Sequence, residues 1–177
     1  MQNVSILSTV PIDILRSTAR IGLIQARILG AQRAKGKVLT FLDAHCEATI
    51  GWLQPLLRRI EQQPKAVVCP VIDIINDQTF AYSRSFDSHW GAINWGLSFR
   101  WFSVGRRELK RMRLRNYDQT STYRSPIMAG GLFSISRQYF FDLGTYDSAL
   151  KIWGGENIEM SLRVWQCGGR IEVCQRW

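Results

Sequence analysis

The spacing of apolar and polar positions divides the chain into alternating helices and strands. Ile21, Ile24, Ile28 and Leu29 fall at helical intervals and predict a helix over 21–34, ended by Lys35-Gly36-Lys37. Val38-Leu39-Thr40-Phe41-Leu42 is then a short, continuous apolar run rich in strand formers, the pattern of a strand buried on both faces. Leu53, Leu56, Leu57 and Ile60 make one stripe of a second helix over 52–63, and Pro64 stops it. A second apolar run covers 66–75, where the internal Pro70 favours an edge strand or a bulge. The stretch 79–100 is aromatic-rich, with Phe80, Tyr82, Phe86, Trp90, Trp95 and Phe99. A strand entered through Gly130-Gly131 runs to Ile135; Ser136 caps a short helix to Leu143, and Gly144 stops it. Gly154-Gly155 opens a last helix over 156–167, Gly168-Gly169 ends it, and Ile171-Glu172-Val173 begins another strand. This alternation predicts a layered α/β domain.

Composition narrows the class. At 177 residues, 46% hydrophobic and 21% charged, the chain suits one globular domain and excludes collagen-like, disordered and coiled-coil classes. No run of eighteen apolar residues encodes a transmembrane helix, and the first ten residues lack the charged start and apolar stretch of a signal peptide. Four cysteines are too few for a small disulfide scaffold. The net charge is +9, but six of those nine charges fall within 100–115: Arg100, Arg106, Arg107, Lys110, Arg111, Arg113 and Arg115 against Glu108. A single basic run reads as a solvated, mobile segment, so neither a nucleic-acid partner nor a membrane contact is expected of this chain.

Three stretches can carry chemistry. Asp43-Ala44-His45 directly follows the first strand, where ligands of open α/β sheets bind. In extended backbone Asp43 and His45 point to one side, and a carboxylate with an imidazole suits Mn²⁺ or Zn²⁺ better than Ca²⁺. The same pair also reads as polar loop residues before the next helix, and Cys46 as a zinc ligand or a buried filler. In Trp153-Gly154-Gly155-Glu156-Asn157, glycines before a helix admit a ligand to backbone N–H groups. There Glu156 is either a site acid or a first-turn acid on the helix dipole, and Trp153 either core or a platform for a sugar or base. Met128-Ala129-Gly130-Gly131 allows close backbone approach, or simply opens a strand. Arg20 and Arg27 can each bind a phosphate or serve as a surface ion-pair partner, the second reading being favoured by position; His89 belongs to no constellation.

Taken together these residues resemble the polypeptide N-acetylgalactosaminyltransferases. The resemblance rests on Thr40-Phe41-Leu42-Asp43-Ala44-His45-Cys46-Glu47, Ala129-Gly130-Gly131-Leu132-Phe133-Ser134, Ile152-Trp153-Gly154-Gly155-Glu156-Asn157-Ile158-Glu159 and Arg163-Val164-Trp165-Gln166-Cys167-Gly168-Gly169, in that order and spacing. It implies a GT-A glycosyltransferase fold, a Rossmann-like α/β sandwich. The implied activity is Mn²⁺-dependent transfer of GalNAc from UDP-GalNAc to Ser or Thr hydroxyls of polypeptides, with retention, which starts mucin-type O-glycans.

Carried over residue by residue, Asp43 and His45 would hold Mn²⁺. Arg20 would contact the UDP portion, and Ala44 stands where the family usually has a serine against the nucleotide sugar. Ala129, Gly130 and Trp153 would line the donor site, and Glu156 and Asn157 would contact the GalNAc hydroxyls as the catalytic pair. Glu156 would act as an orienting group if attack is front-face, or as a nucleophile in a double displacement.

The family's third metal-binding histidine and the partner of the cysteine matching Cys167 both lie beyond Trp177. Residues 1–177 are thus expected to be the central part of the catalytic domain, without lectin domain or membrane anchor. A Golgi-lumen location rests on the resemblance alone. A noncatalytic GT-A module that binds a peptide or protein is the alternative.

Overall fold

The computed structural model describes residues 10–85, 89–114 and 122–174. The readings of residues 1–9, Phe86, Arg115 and 175–177, and of the Arg113 side chain, fall outside the described residues.

In chain order the helices are α1 (Gly22–Arg33), α2 (Leu53–Gln62), α3 (Arg106–Leu114), α4 (Arg137–Asp142) and α5 (Glu156–Gln166). The strands are β1 (Val38–Phe41), β2 (Ala66–Pro70), β3 (Ile74–Ile75), β4 (Tyr82–Ser83), β5 (His89–Ile93), β6 (Phe99–Ser103), β7 (Thr122–Arg124), β8 (Phe133–Ser136) and β9 (Arg170–Cys174). The main sheet runs β1-β8-β2-β9-β7, with β2 and β9 parallel and the other neighbours antiparallel. Two further hairpins, β3-β4 and β5-β6, stand beside it.

Side-chain alternation along β2 builds the two halves of the core. Val67 and Cys69 face one way, into a cluster with Ile24 and Ala31 of α1, Phe140 of α4 and Met160 and Val164 of α5. Ala66 and Val68 face the other way, onto Leu56 and Ile60 of α2. The result is an α/β sandwich with helices on both faces, as the alternating pattern predicts. Ser136 accepts a hydrogen bond from the Tyr139 N–H and caps α4, as its position before the helix suggests.

Four expectations need correction. β1 is not buried on both faces: Leu39 and Phe41 are buried, Val38 and Thr40 only half-buried, because the described strand lies at the end of the sheet with one antiparallel neighbour. β2 is central rather than an edge, and Pro70 is tolerated because it closes the strand, where only one ladder position lacks its N–H. Leu57 lies outside the buried stripe of α2, which is Pro55, Leu56 and Ile60. Finally, much of the basic run is helix: α3 is anchored by the buried Met112 and by the buried Glu108, whose carboxylate accepts from Arg111 at 2.8 Å. A charge-dense helix hides its apolar anchors from a reading of net charge, and the paired strands β5 and β6 likewise lay hidden in the aromatic stretch.

Candidate functional site

Asp43 lies just past the C-terminal end of β1, and its environment is set from α1. Arg27, two turns into that helix, is 8% exposed and turns inward. One terminal nitrogen, Nη2, donates to Asp43 Oδ1 at 2.9 Å and to the Gly131 carbonyl at 3.1 Å. The other, Nη1, donates to the Gly130 carbonyl at 2.5 Å and to the Tyr146 hydroxyl at 3.3 Å. The Phe41 ring lies under the guanidinium, 5.7 Å from its centroid, where a cation is attracted to the ring face. Burial pushes the Tyr146 hydroxyl up to about 12 against the lowering influence of Arg27, so it stays protonated at neutral pH. Arg27 is therefore neither a surface ion-pair partner nor an exposed phosphate ligand.

The glycines of the 128–131 segment are needed for closeness. Gly130 has φ +91°, and a Cβ there would sit 2.7 Å from Asn157 Cβ. A Cβ on Gly131 would come within 2.5 Å of Asp43 Oδ2. Asn157 Nδ2 donates to the Met128 carbonyl at 3.0 Å, and Ser161 Oγ accepts from the Met128 N–H at 3.1 Å. The N-terminal turn of α5 thus grips the same segment that Arg27 grips from the other side. Glu156, 5% exposed, accepts from the Gly154 N–H at 2.9 Å. Its carboxylate thus pins the loop before the helix and, as a first-turn acid, stands at the positive end of the α5 dipole.

A second join brings the remaining candidates closer. Gly22, at φ +76°, packs on the Ile152 backbone, where a Cβ would lie 2.6 Å from the Ile152 Cα, and the Leu23 N–H donates to the Ile152 carbonyl at 2.8 Å. Arg20 and Trp153 flank this contact, both exposed, Trp153 to 76%. Ala44 and His45 form a turn rather than extended backbone, so the same-side argument from strand geometry does not apply to Asp43 and His45. His45 is exposed and lines a groove of about 640 Å³ with Cys46, Ile50, Trp52, Tyr82 and Arg84. Asp43 and Glu156 are not among its walls.

The structure therefore links Asp43, Gly130 and Asn157 through Arg27 and the 128–131 segment, with Ala129 in that segment and Glu156 next to Asn157 in the chain, and leaves Arg20, Ala44, His45 and Trp153 exposed. Among the described residues no group of three or more His, Cys, Asp or Glu side chains comes together to hold a metal. Asp43 and His45 still offer oxygen and nitrogen donors of the kind that suit a divalent transition metal. The sequence missed Arg27 as the organiser: an arginine at the spacing of buried Ile24 and Ala31 is the one signal that pointed inward.

The profile of glycosyl transferase family 2 matches residues 4–140, and that of the galactosyltransferase N-terminal domain matches residues 110–176. Polypeptide N-acetylgalactosaminyltransferase 3 of Drosophila melanogaster is 57% identical over 166 residues, which are 93% of this chain and 24% of that protein. Polypeptide N-acetylgalactosaminyltransferase 13 of Homo sapiens is 56% identical over 164 residues, 93% of this chain and 29% of that protein. A crystal structure of GalNAc-T7 with UDP, GalNAc and Mn²⁺ superposes with a TM-score of 0.83 at 43% identity, over 90% of this chain and 30% of that one.

These matches and the sandwich define a GT-A glycosyltransferase fold. The chain belongs to glycosyl transferase family 2 and, within it, to the polypeptide N-acetylgalactosaminyltransferases. It spans less than a third of the length of these relatives.

Proposed function

We propose that this chain forms the donor-binding part of a retaining polypeptide GalNAc-transferase, which moves GalNAc from UDP-GalNAc to Ser or Thr hydroxyls. The observation that carries this is Asp43, fixed at the strand end by Arg27 and laid over Gly131 beside the start of α5. Asp43 and His45 would hold Mn²⁺, which when bound offsets the charge of the diphosphate leaving group as a Lewis acid. The exposed Arg20 is available to the UDP phosphates, since a guanidinium matches phosphate geometry. Ala44 offers the nucleotide sugar no hydroxyl.

Ala129, Gly130 and Trp153 would form the walls around the sugar. Asn157 donates through Nδ2 to Met128, so its contact with a GalNAc hydroxyl would fall to Oδ1 as an acceptor. Glu156 would exchange part of its hold on the Gly154 N–H for a sugar hydroxyl and so orient the ring. A Golgi-lumen location follows from the family alone; no helix among the described residues is long and apolar enough to cross a membrane.

The test is transfer of GalNAc from UDP-GalNAc to a threonine-rich peptide by the protein carrying this chain, with Asp43→Ala as control. Transfer abolished in the variant is the expected result. Transfer equal to that of the variant, in a folded protein, supports instead a noncatalytic module.

A further inference from the structure

Arg27 is buried and charged and has no part in the donor contacts proposed above, yet it makes four hydrogen bonds within the site. Its four hydrogen bonds reach the three pieces of chain that converge there: the end of β1 through Asp43, the 130–131 carbonyls, and Tyr146 after α4. Three of the four acceptors are a carboxylate and two carbonyl oxygens, so the site is organised around a fixed positive charge. The forked, planar guanidinium can serve acceptors in several directions at once, which an ammonium cannot.

We infer that Arg27 is the positioning residue of the donor site: it takes Oδ1 of Asp43 and leaves the carboxylate presented through Oδ2 over Gly131. Two constraints act on the carboxylate together. Arg27 fixes one oxygen at 2.9 Å, and the missing Cβ of Gly131 makes the room that the other occupies. The same guanidinium holds the Gly130 carbonyl, and Gly130 packs on Asn157. One side chain therefore sets the spacing between Asp43 and the start of α5. Partners that orient a metal ligand act on metal affinity rather than on the fold alone.

This inference rests on the reading of Asp43 as a Mn²⁺ ligand, and the experiment separates the two. Mn²⁺ affinity is measured by calorimetry at saturating UDP in the full-length protein. The variants are Asp43→Asn, Arg27→Lys, both together, and Tyr146→Phe, with melts to establish folding. Arg27→Lys keeps the charge and loses the fork.

Its Mn²⁺ dissociation constant is expected to rise roughly ten- to a hundredfold, in the range found for orienting partners. On the Asp43→Asn background the same change is expected to add less than about threefold, since the two substitutions break one interaction. Tyr146→Phe removes one partner of Arg27 without opening a cavity, and a rise of about threefold is expected; this variant decides the matter if Arg27→Lys does not fold.

Unchanged Mn²⁺ affinity in Arg27→Lys, or in Tyr146→Phe where Arg27→Lys is unfolded, with Asp43→Asn weakened, overturns the role of Arg27. Unchanged affinity in Asp43→Asn overturns the metal reading and the inference with it.

Discussion

At the residue scale, the site is governed by how near two pieces of backbone can come. Gly131 illustrates it. Its φ is ordinary, so alanine is not strained there, but the new Cβ would meet Asp43 Oδ2 at 2.5 Å, and Arg27 prevents the carboxylate from swinging away. Gly131→Ala is therefore expected to melt below the parent and also to lose about tenfold in Mn²⁺-dependent transfer, a size typical of disturbed metal surroundings. A lowered melt with unchanged Mn²⁺ dependence would show that the glycine serves packing alone.

The cysteines give a second residue-scale prediction. Burial pushes Cys69 up to about 12 and Cys174 up to about 11, and both are shielded from solvent. None of the four cysteines is bonded to another of the four; Cys167 is exposed and Cys46 half-buried. Since the thiolate is the nucleophile, iodoacetamide at pH 8 is expected, in the 177-residue chain by itself, to modify Cys167 first, Cys46 more slowly, and Cys69 and Cys174 only after unfolding. Peptide mass mapping over time reads the order.

Residue identity told much of this in advance and missed one part. Asp43, Gly130, Glu156 and Asn157 stand out because motifs place them at a strand end, a strand start and a helix start. Arg27 does not, because its spacing with Ile24 and Ala31 points it inward but an arginine inside a helix far more often faces solvent. Only the three-dimensional arrangement reveals which acceptors it meets.

At the element scale, the packing of α2 on the sheet turns on one ion pair that apolar periodicity could not disclose. Glu172 lies in the middle of β9 on the α2 side, 3% exposed, between β2 and β7. Arg59 donates to its two carboxylate oxygens at 2.5 and 2.9 Å, and Thr122 of β7 donates at 2.9 Å. Burial alone pushes this carboxyl up, but the bonds and charge of Arg59, with help from Thr122 and Arg170, outweigh it and leave its pKa below the ordinary carboxylate value.

A carboxyl lowered on folding contributes stability above its unfolded pKa and loses it as pH falls through the folded one. Stability should thus fall below about pH 4.5 in the parent, and Glu172→Gln should flatten that acid limb. Arg59→Ala strands a buried carboxylate and is expected to cost about 3 kcal/mol, or roughly 6–12 °C in melting temperature. Denaturant titrations from pH 3 to 7 check both. An acid limb unchanged in Glu172→Gln would contradict the assignment.

The elements themselves were legible where one periodicity ruled. α1, α2, α4, α5, β8 and β9 follow from apolar spacing, capping residues and glycine stops. The β5-β6 hairpin was not, because β5 is mostly half-buried and β6 mostly exposed, Trp101 and Phe102 included, so no alternation marks a buried face. Its place is set from afar: Ser125 Oγ accepts from the Gly91 N–H at 3.1 Å and donates to the Ile127 carbonyl at 2.8 Å. That stitching ties the hairpin to the strand leading into the 128–131 segment, a long-range contact that no local pattern carries.

At the scale of the whole molecule, the sheet gathers the C-terminal end of β1, the start of β8 and the N-terminus of α5 at one place, and Arg27 holds them there. The central claim is that this place binds the nucleotide sugar through Asp43. The most direct test is a thermal melt of the 177-residue chain with neither ligand, with UDP, with Mn²⁺, and with both, alongside Asp43→Ala. Ligand that binds only the folded state raises the melting temperature by mass action. The account predicts a rise of several degrees only when UDP and Mn²⁺ are present together, and none in Asp43→Ala. A cooperative melt with no rise, or the same rise in Asp43→Ala, would contradict it.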